Sequence, residues 1–147
     1  ARIMSLKDGT KKMSKSDPSE FSRINLNDSS DDIFNKIKKA KTDTEPLPDN
    51  EVELNQRPEA ENLLGIYTSL CDQTLEKTIN EFSGKKFSDF KEKLASLVVE
   101  KISPISSEIN KLTKDEKFID KILQEGSEKA KEISEKKIKN IKKIVGF

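Results

Sequence analysis

The chain has no histidine and a single cysteine, Cys71. One cysteine excludes an internal disulfide and a cysteine-rich zinc site, and its ordinary role is that of a small buried apolar residue. Glycine and proline number five each, too few for a disordered linker protein. No apolar run approaches the length that spans a bilayer, and no signal peptide is visible, so the expectation is a soluble cytoplasmic protein. The 147 residues suffice for one modest domain. Charged residues (37%) outnumber hydrophobic ones (32%), a balance that suits helices with lysine-covered faces.

Net charge is only +1, but it is unevenly spread. Residues 1–41 carry ten basic and six acidic side chains, and residues 127–147 carry seven and three. Each end is therefore +4, and the middle is −7. Basic ends around an acidic centre fit a protein that touches polyanions at particular surfaces. They do not fit one coated for general nucleic-acid binding.

The densest chemistry lies in Lys12-Met13-Ser14-Lys15-Ser16. Gly9 and Thr10 precede it and Asp17-Pro18 follows, which predicts an exposed, mobile loop. Lysine is a compact charge on a flexible stem, suited to following a polyphosphate. Ser14 and Ser16 add hydroxyl donors, and the backbone adds N–H groups. Fixed cations beside a departing pyrophosphate stabilise a transition state, by about 10²–10³ in rate for each group. Taken as single residues, two lysines and two serines read first as a solvated loop. Lys7-Asp8-Gly9-Thr10-Lys11-Lys12 lacks the earlier glycine and the strand–helix setting of a P-loop.

The five-residue string as a whole matches the second signature loop of the class I aminoacyl-tRNA synthetases. The run from Ala1 to Leu6 and from Lys11 to Ser19 closely resembles the bacterial tryptophanyl-tRNA synthetase family. A second stretch, Arg57-Pro58-Glu59-Ala60-Glu61-Asn62-Leu63-Leu64-Gly65-Ile66-Tyr67, does so too, as does Ile24 to Asp43 more loosely. Gly146-Phe147 resembles the family's usual ending. The family's first signature is built around histidines, which this chain lacks, so a C-terminal part of a longer protein is implied.

Further along the chain, residues 1–6 alternate loosely and predict one short strand. Asp28 or Ser29 is placed to cap a helix whose face is Ile33, Phe34, Ile37 and Ala40. Residues 42–56 hold Pro46, Pro48 and five acids and read as an acidic loop. Pro58 opens a helix with Leu63, Leu64, Tyr67, Leu70 and Cys71 along one side. Gly65 weakens that helix by about 1 kcal/mol relative to alanine, which predicts close packing against another helix. Residues 73–82 predict a short helix stopped by Gly84, with Leu75, Ile79 and Phe82 inward. Ser88 is placed to cap the next, which runs to about residue 112 as one bent helix or two abutting ones around Pro104. Thr113 and Glu116 have capping-box spacing. A last helix from Ser127 to about Val145 presents Ala130, Ile133, Ile138, Ile141, Ile144 and Val145 inward.

The expected fold is mostly all-α. It is a bundle of five to seven helices over residues 23–147, after a short strand, signature loop and connector over residues 1–22. By resemblance, residues 1–22 end a Rossmann-like catalytic domain, and the bundle docks the anticodon end of tRNA(Trp). The implied reaction turns L-tryptophan and ATP into tryptophanyl-adenylate and pyrophosphate, then transfers the tryptophanyl group to tRNA with release of AMP. Lys12 and Lys15 are the implied catalytic residues. Ile3, Lys12, Met13, Ser14, Lys15 and Ser16 are the implied ATP contacts, with the backbone near Ile3 against adenine. Mg²⁺ would come with ATP, and no metal site is expected in the chain itself. Lys36, Lys39, Lys139, Lys142 and Lys143 are candidates for tRNA phosphates, although helix-surface and C-terminal lysines are also ordinary solvated groups. The intact family members are homodimers, and the tryptophan pocket would lie outside this chain, which alone is not expected to catalyse. Two other readings stay open: a non-catalytic helical RNA-binding or interaction module, and a synthetase for another amino acid.

Overall fold

The computed structural model describes residues 2–146; Ala1 and Phe147, the two ends of the resemblance, lie outside the described residues. Two short strands, β1 (Met4–Ser5) and β2 (Asp8–Lys12), are followed by a 3-10 turn at Glu20–Ser22. Six helices come next: α1 (Ser30–Lys38), α2 (Glu51–Leu54), α3 (Pro58–Cys71), α4 (Leu75–Phe82), α5 (Phe87–Lys114) and α6 (Glu116–Val145). The chain divides into two compact units, Ala1–Ser107 and Glu108–Phe147, so the expected boundary at 22/23 falls inside the first unit.

The first departure from expectation is at the start. One strand was expected before a loop, but the chain forms an antiparallel hairpin, with Met4 opposite Lys12, Ser5 opposite Asp8 and a bulge between Met4 and Ser5. Gly9 and Thr10 are strand residues, not loop residues. Gly9 serves close approach: a Cβ there would stand 2.4 Å from the Pro58 carbonyl carbon and 2.6 Å from the Glu59 nitrogen. Leu6, in the hairpin turn, is buried in the core. Its N–H donates to Ser22 and its C=O accepts from Lys41, which ties the turn to the chain on both sides.

Around this hairpin the first unit builds one core. Ser29, not Asp28, caps α1, in a reciprocal box with Asp32. Ile33 and Ile37 are buried as expected, while Phe34 is more than a third exposed. The expected acidic loop contains α2, capped by Asn50, and buries Leu54. Leu63 and Leu64 of α3 meet Ile79 and Phe82 of α4 and Phe90, Leu94 and Val98 of α5 in the same cluster. Tyr67, Phe82 and Phe90 pack edge to face, the second ring 4.8 Å from each of the other two. Gly65 departs from expectation: nothing lies within 4 Å of the position its Cβ would take, so no close helix packing requires it. Gly84 does have a backbone reason, at φ +70°.

α5 starts at Phe87, so Ser88 lies inside its first turn and does not cap it. The helix passes through Pro104 as one element. Thr113 is helical, its hydroxyl donating to Ile109, and the cap of α6 is Asp115. The apolar positions 118–123 and 130–145 belong to one helix that runs through Gly126. None of its residues is buried, so the expected inward stripe of Ile133, Ile138, Ile141 and Ile144 is exposed. A single helix has no second surface with which to cover its own apolar side. No helix among the described residues is long and apolar enough to cross a membrane.

Candidate functional site

Lys12 is the last residue of β2, and the five-residue stretch leaves the sheet from there. The Met13 N–H donates to the Ile3 carbonyl at 3.1 Å, so the start of the loop is fastened to the segment before β1. Met13 packs on the core. Ser14 then folds the loop back on itself: its hydroxyl accepts from the Ser16 N–H at 3.2 Å, and its C=O accepts from Asp17 at 3.4 Å. The exit is pinned by Arg23, whose guanidinium donates to the Asp17 carbonyl at 2.8 Å and also pairs with Glu20. Both ends of the loop are therefore held, and its middle is open to solvent.

Lys12 and Lys15 are exposed, and among the described residues neither bridges a carboxylate. Lys11 does, reaching Asp8 at 3.2 Å. Asp8 is itself held ionised. A hydrogen bond from the Thr10 hydroxyl at 2.6 Å, then the Thr10 N–H, then Lys11, bring its carboxyl down to about 2. The one acid in the hairpin is thus occupied by Thr10 and Lys11, and the next two lysines have no carboxylate partner among the described residues. Ile3 joins the loop through the Met13 bond, and Lys12, Ser14, Lys15 and Ser16 are exposed while Met13 turns to the core. Ile3 is not a core strand residue; it is 46% exposed and precedes β1. A cavity of about 340 Å³ lies beside it, bordered by Met4, Gly9, Pro58 and Asn62. Among the described residues no group of three or more cysteine or acidic side chains is placed to hold a metal ion.

The lysines proposed for RNA phosphates separate. Lys36 is corrected: it is buried, and its ammonium sits 2.5 Å from Asp28, whose side chain is only partly exposed. A lysine sequestered in such a pair is not offered to a phosphate. Lys39 is exposed, over the face of Phe21 at 4.6 Å. Lys139, Lys142 and Lys143 are exposed on α6, in the second unit. Arg57, the one arginine after Arg23, is engaged by Asp43 at 2.5 Å, Glu53 at 3.0 Å and the Pro46 carbonyl at 2.7 Å. Tyr67 belongs to the aromatic core.

Sequence reasoning gave no role to Asn62. Its amide is buried on α3 and bonds the backbone of Met4, 58 residues away. The only local signal is an amide set directly before the apolar pair Leu63-Leu64.

The model of the tRNA synthetases class I (W and Y) matches residues 1–104. The chain belongs to that family. It is 52% identical over 146 residues to the tryptophan–tRNA ligase of Rhizobium meliloti (strain 1021), covering 99% of this chain and 41% of that protein. To the tryptophan–tRNA ligase of Caulobacter vibrioides it is 48% identical, covering 100% of this chain and 43% of the relative. Among solved structures it is similar to the tryptophanyl-tRNA synthetase of Mycoplasma pneumoniae, with a TM-score of 0.61 and 28% identity, over 75% of this chain and 35% of that one. The chain thus spans about two-fifths of the length of the curated relatives it matches. The resemblance read from the loop and from the Arg57–Tyr67 stretch is borne out, and so is the mostly helical fold.

Proposed function

We propose that these residues form part of a tryptophan–tRNA ligase and carry the pyrophosphate-binding loop of its adenylate-forming step. The observation that supports this most is the pair Lys12 and Lys15. Both are exposed and free of carboxylates among the described residues, on a loop anchored by Met13–Ile3 at one end and Arg23–Asp17 at the other.

In this reading the tryptophan carboxylate attacks the α-phosphate of ATP and pyrophosphate departs. The carboxylate is already ionised at neutral pH, so this step needs no general base. Lys12 and Lys15 neutralise the charge that grows on the leaving group. Ser14, Ser16 and the backbone N–H groups add hydrogen bonds. Ile3, next to Met13, offers its backbone to the adenine ring. Mg²⁺ enters as the counter-ion of the ATP phosphates and so belongs to the substrate. The tryptophan pocket and the rest of the ATP site belong to parts of the ligase other than these 147 residues, so the chain alone is inactive. Residues 1–22 then close a catalytic domain and residues 23–147 form the helical domain that docks tRNA(Trp). Lys39, Lys139, Lys142 and Lys143 position phosphates there and do not read bases. The intact ligase is proposed to be a cytoplasmic homodimer.

The test is ATP–pyrophosphate exchange in the intact ligase. Lys15→Ala slows it by about 10²-fold or more while the affinity for tryptophan barely changes. Exchange at the wild-type rate removes the role assigned to the loop.

A further inference from the structure

Met4 is paired with β2 on one edge only, and its other edge faces α3. There Asn62 takes the place of a neighbouring strand. Its Oδ1 accepts from the Met4 N–H at 2.9 Å, and its Nδ2 donates to the Met4 C=O at 2.9 Å. A longer contact from Nδ2 reaches the Ser5 C=O at 3.4 Å. A side-chain amide carries one acceptor and two donors, so it meets both backbone groups of a strand residue at once. Aspartate offers acceptors only and would face two carbonyl oxygens.

Asn62 acts on the loop through two short paths. Met4 stands directly opposite Lys12 in the hairpin, and Ile3, one residue before Met4, accepts from Met13. Any shift of Met4 therefore moves the two residues from which the loop departs. Four residues before Asn62, the backbone of Pro58 presses on Gly9, so α3 holds the hairpin at both strands.

We infer that Asn62 is a positioning residue for the pyrophosphate loop: it fixes the register and height of the hairpin that aims Lys12 and Lys15. The inference rests on the ligase reading above and adds to it a residue that touches no substrate. Misplacement of a reacting geometry by about 1 Å is worth roughly 10²-fold in rate.

The experiment is a double-mutant cycle on ATP–pyrophosphate exchange in the intact ligase, with Asn62→Ala, Lys15→Ala and the pair. Asn62→Ala is expected to lower kcat about tenfold or more, with the KM for tryptophan unchanged. On the Lys15→Ala background its effect should shrink to threefold or less, as an order of magnitude, because the charge it aims is gone. Full additivity, or a wild-type kcat in Asn62→Ala, overturns the inference. Where Asn62→Ala does not fold, Asn62→Asp keeps the volume and removes the donor, and the same cycle applies. A second readout needs only the 147-residue chain: amide exchange at Met4 should quicken at least about tenfold in either variant while Leu94 stays protected. Unchanged exchange at Met4 also overturns it. If Lys15→Ala exchanges at the wild-type rate, the ligase reading fails. If Lys15→Ala is slow and Asn62→Ala is not, only the positioning role fails.

Discussion

Adding one methyl group at two glycines should change stability in opposite directions. At Gly9 a Cβ would meet three backbone atoms, at 2.4, 2.5 and 2.6 Å, where ordinary van der Waals contact begins near 3.4 Å. Backbone atoms of Pro58 and Glu59 cannot rotate aside, so β2 must retreat from α3 by about 1 Å, the kind of overpacking that costs roughly 1–3 kcal/mol. Gly9 has no positive φ. Without the clash, alanine would stabilise the fold by about 0.4–1 kcal/mol through the unfolded chain. Gly65 is the control. It lies within α3, nothing occupies the space its Cβ would take, and Gly65→Ala should stabilise by about 0.5–1 kcal/mol. The assay is urea unfolding of the 147-residue chain followed by fluorescence of Tyr67, the one tyrosine in a chain without tryptophan. With a slope of about 2 kcal/mol per molar, Gly9→Ala should lower the midpoint by roughly 0.5–1.5 M and Gly65→Ala raise it by about 0.3–0.5 M. A neutral or stabilising Gly9→Ala refutes the close approach of hairpin and helix. A destabilising Gly65→Ala restores the packing role that the sequence suggested.

Two further outcomes follow from the charged and titratable groups. Lys36→Ala leaves the mostly covered Asp28 with only its bonds from Asn25, and should destabilise by roughly 1–3 kcal/mol in the same unfolding assay; an effect below about 0.5 kcal/mol would return Lys36 to the solvated lysines. On the proposed ligase reading, the salt dependence of tRNA affinity should be indifferent to Lys36→Gln once folding is matched. Burial, then a hydrogen bond with Cys71 and the charge of Glu81, push the Tyr67 phenol up to about 12. A phenol raised in the folded state contributes stability that is full below the unfolded value of about 10 and lost as pH rises through the folded one. Tyrosinate absorbance of the folded chain should therefore show its midpoint near 12; a midpoint near 10 refutes the burial argument.

How much was legible depends on how far apart the interacting residues are. The caps at Ser29 and Thr74, the Pro58 start of α3 and the stop at Gly84 are settled within four residues, and local spacing found the start, the stop and one of two choices for the first cap. The loop was legible because its chemistry is a contiguous string. Lys36 was misjudged because a lysine on a helix reads as solvated until a distant carboxylate is brought to it; Asp28 is eight residues away. Gly9 and Gly65 were interchanged in meaning for the same reason: what a glycine leaves room for is a neighbour in space.

What the order of residues determined alone is helices α1, α3, α4 and α5, the lysine-bearing loop and membership of a synthetase family, since periodicity, capping and contiguous motifs are short-range properties. What only the tertiary structure decided is which charges are free and what holds the loop in place. Asn62 meeting Met4, Pro58 meeting Gly9 and Asp28 meeting Lys36 are contacts that exist only once the chain has closed on itself.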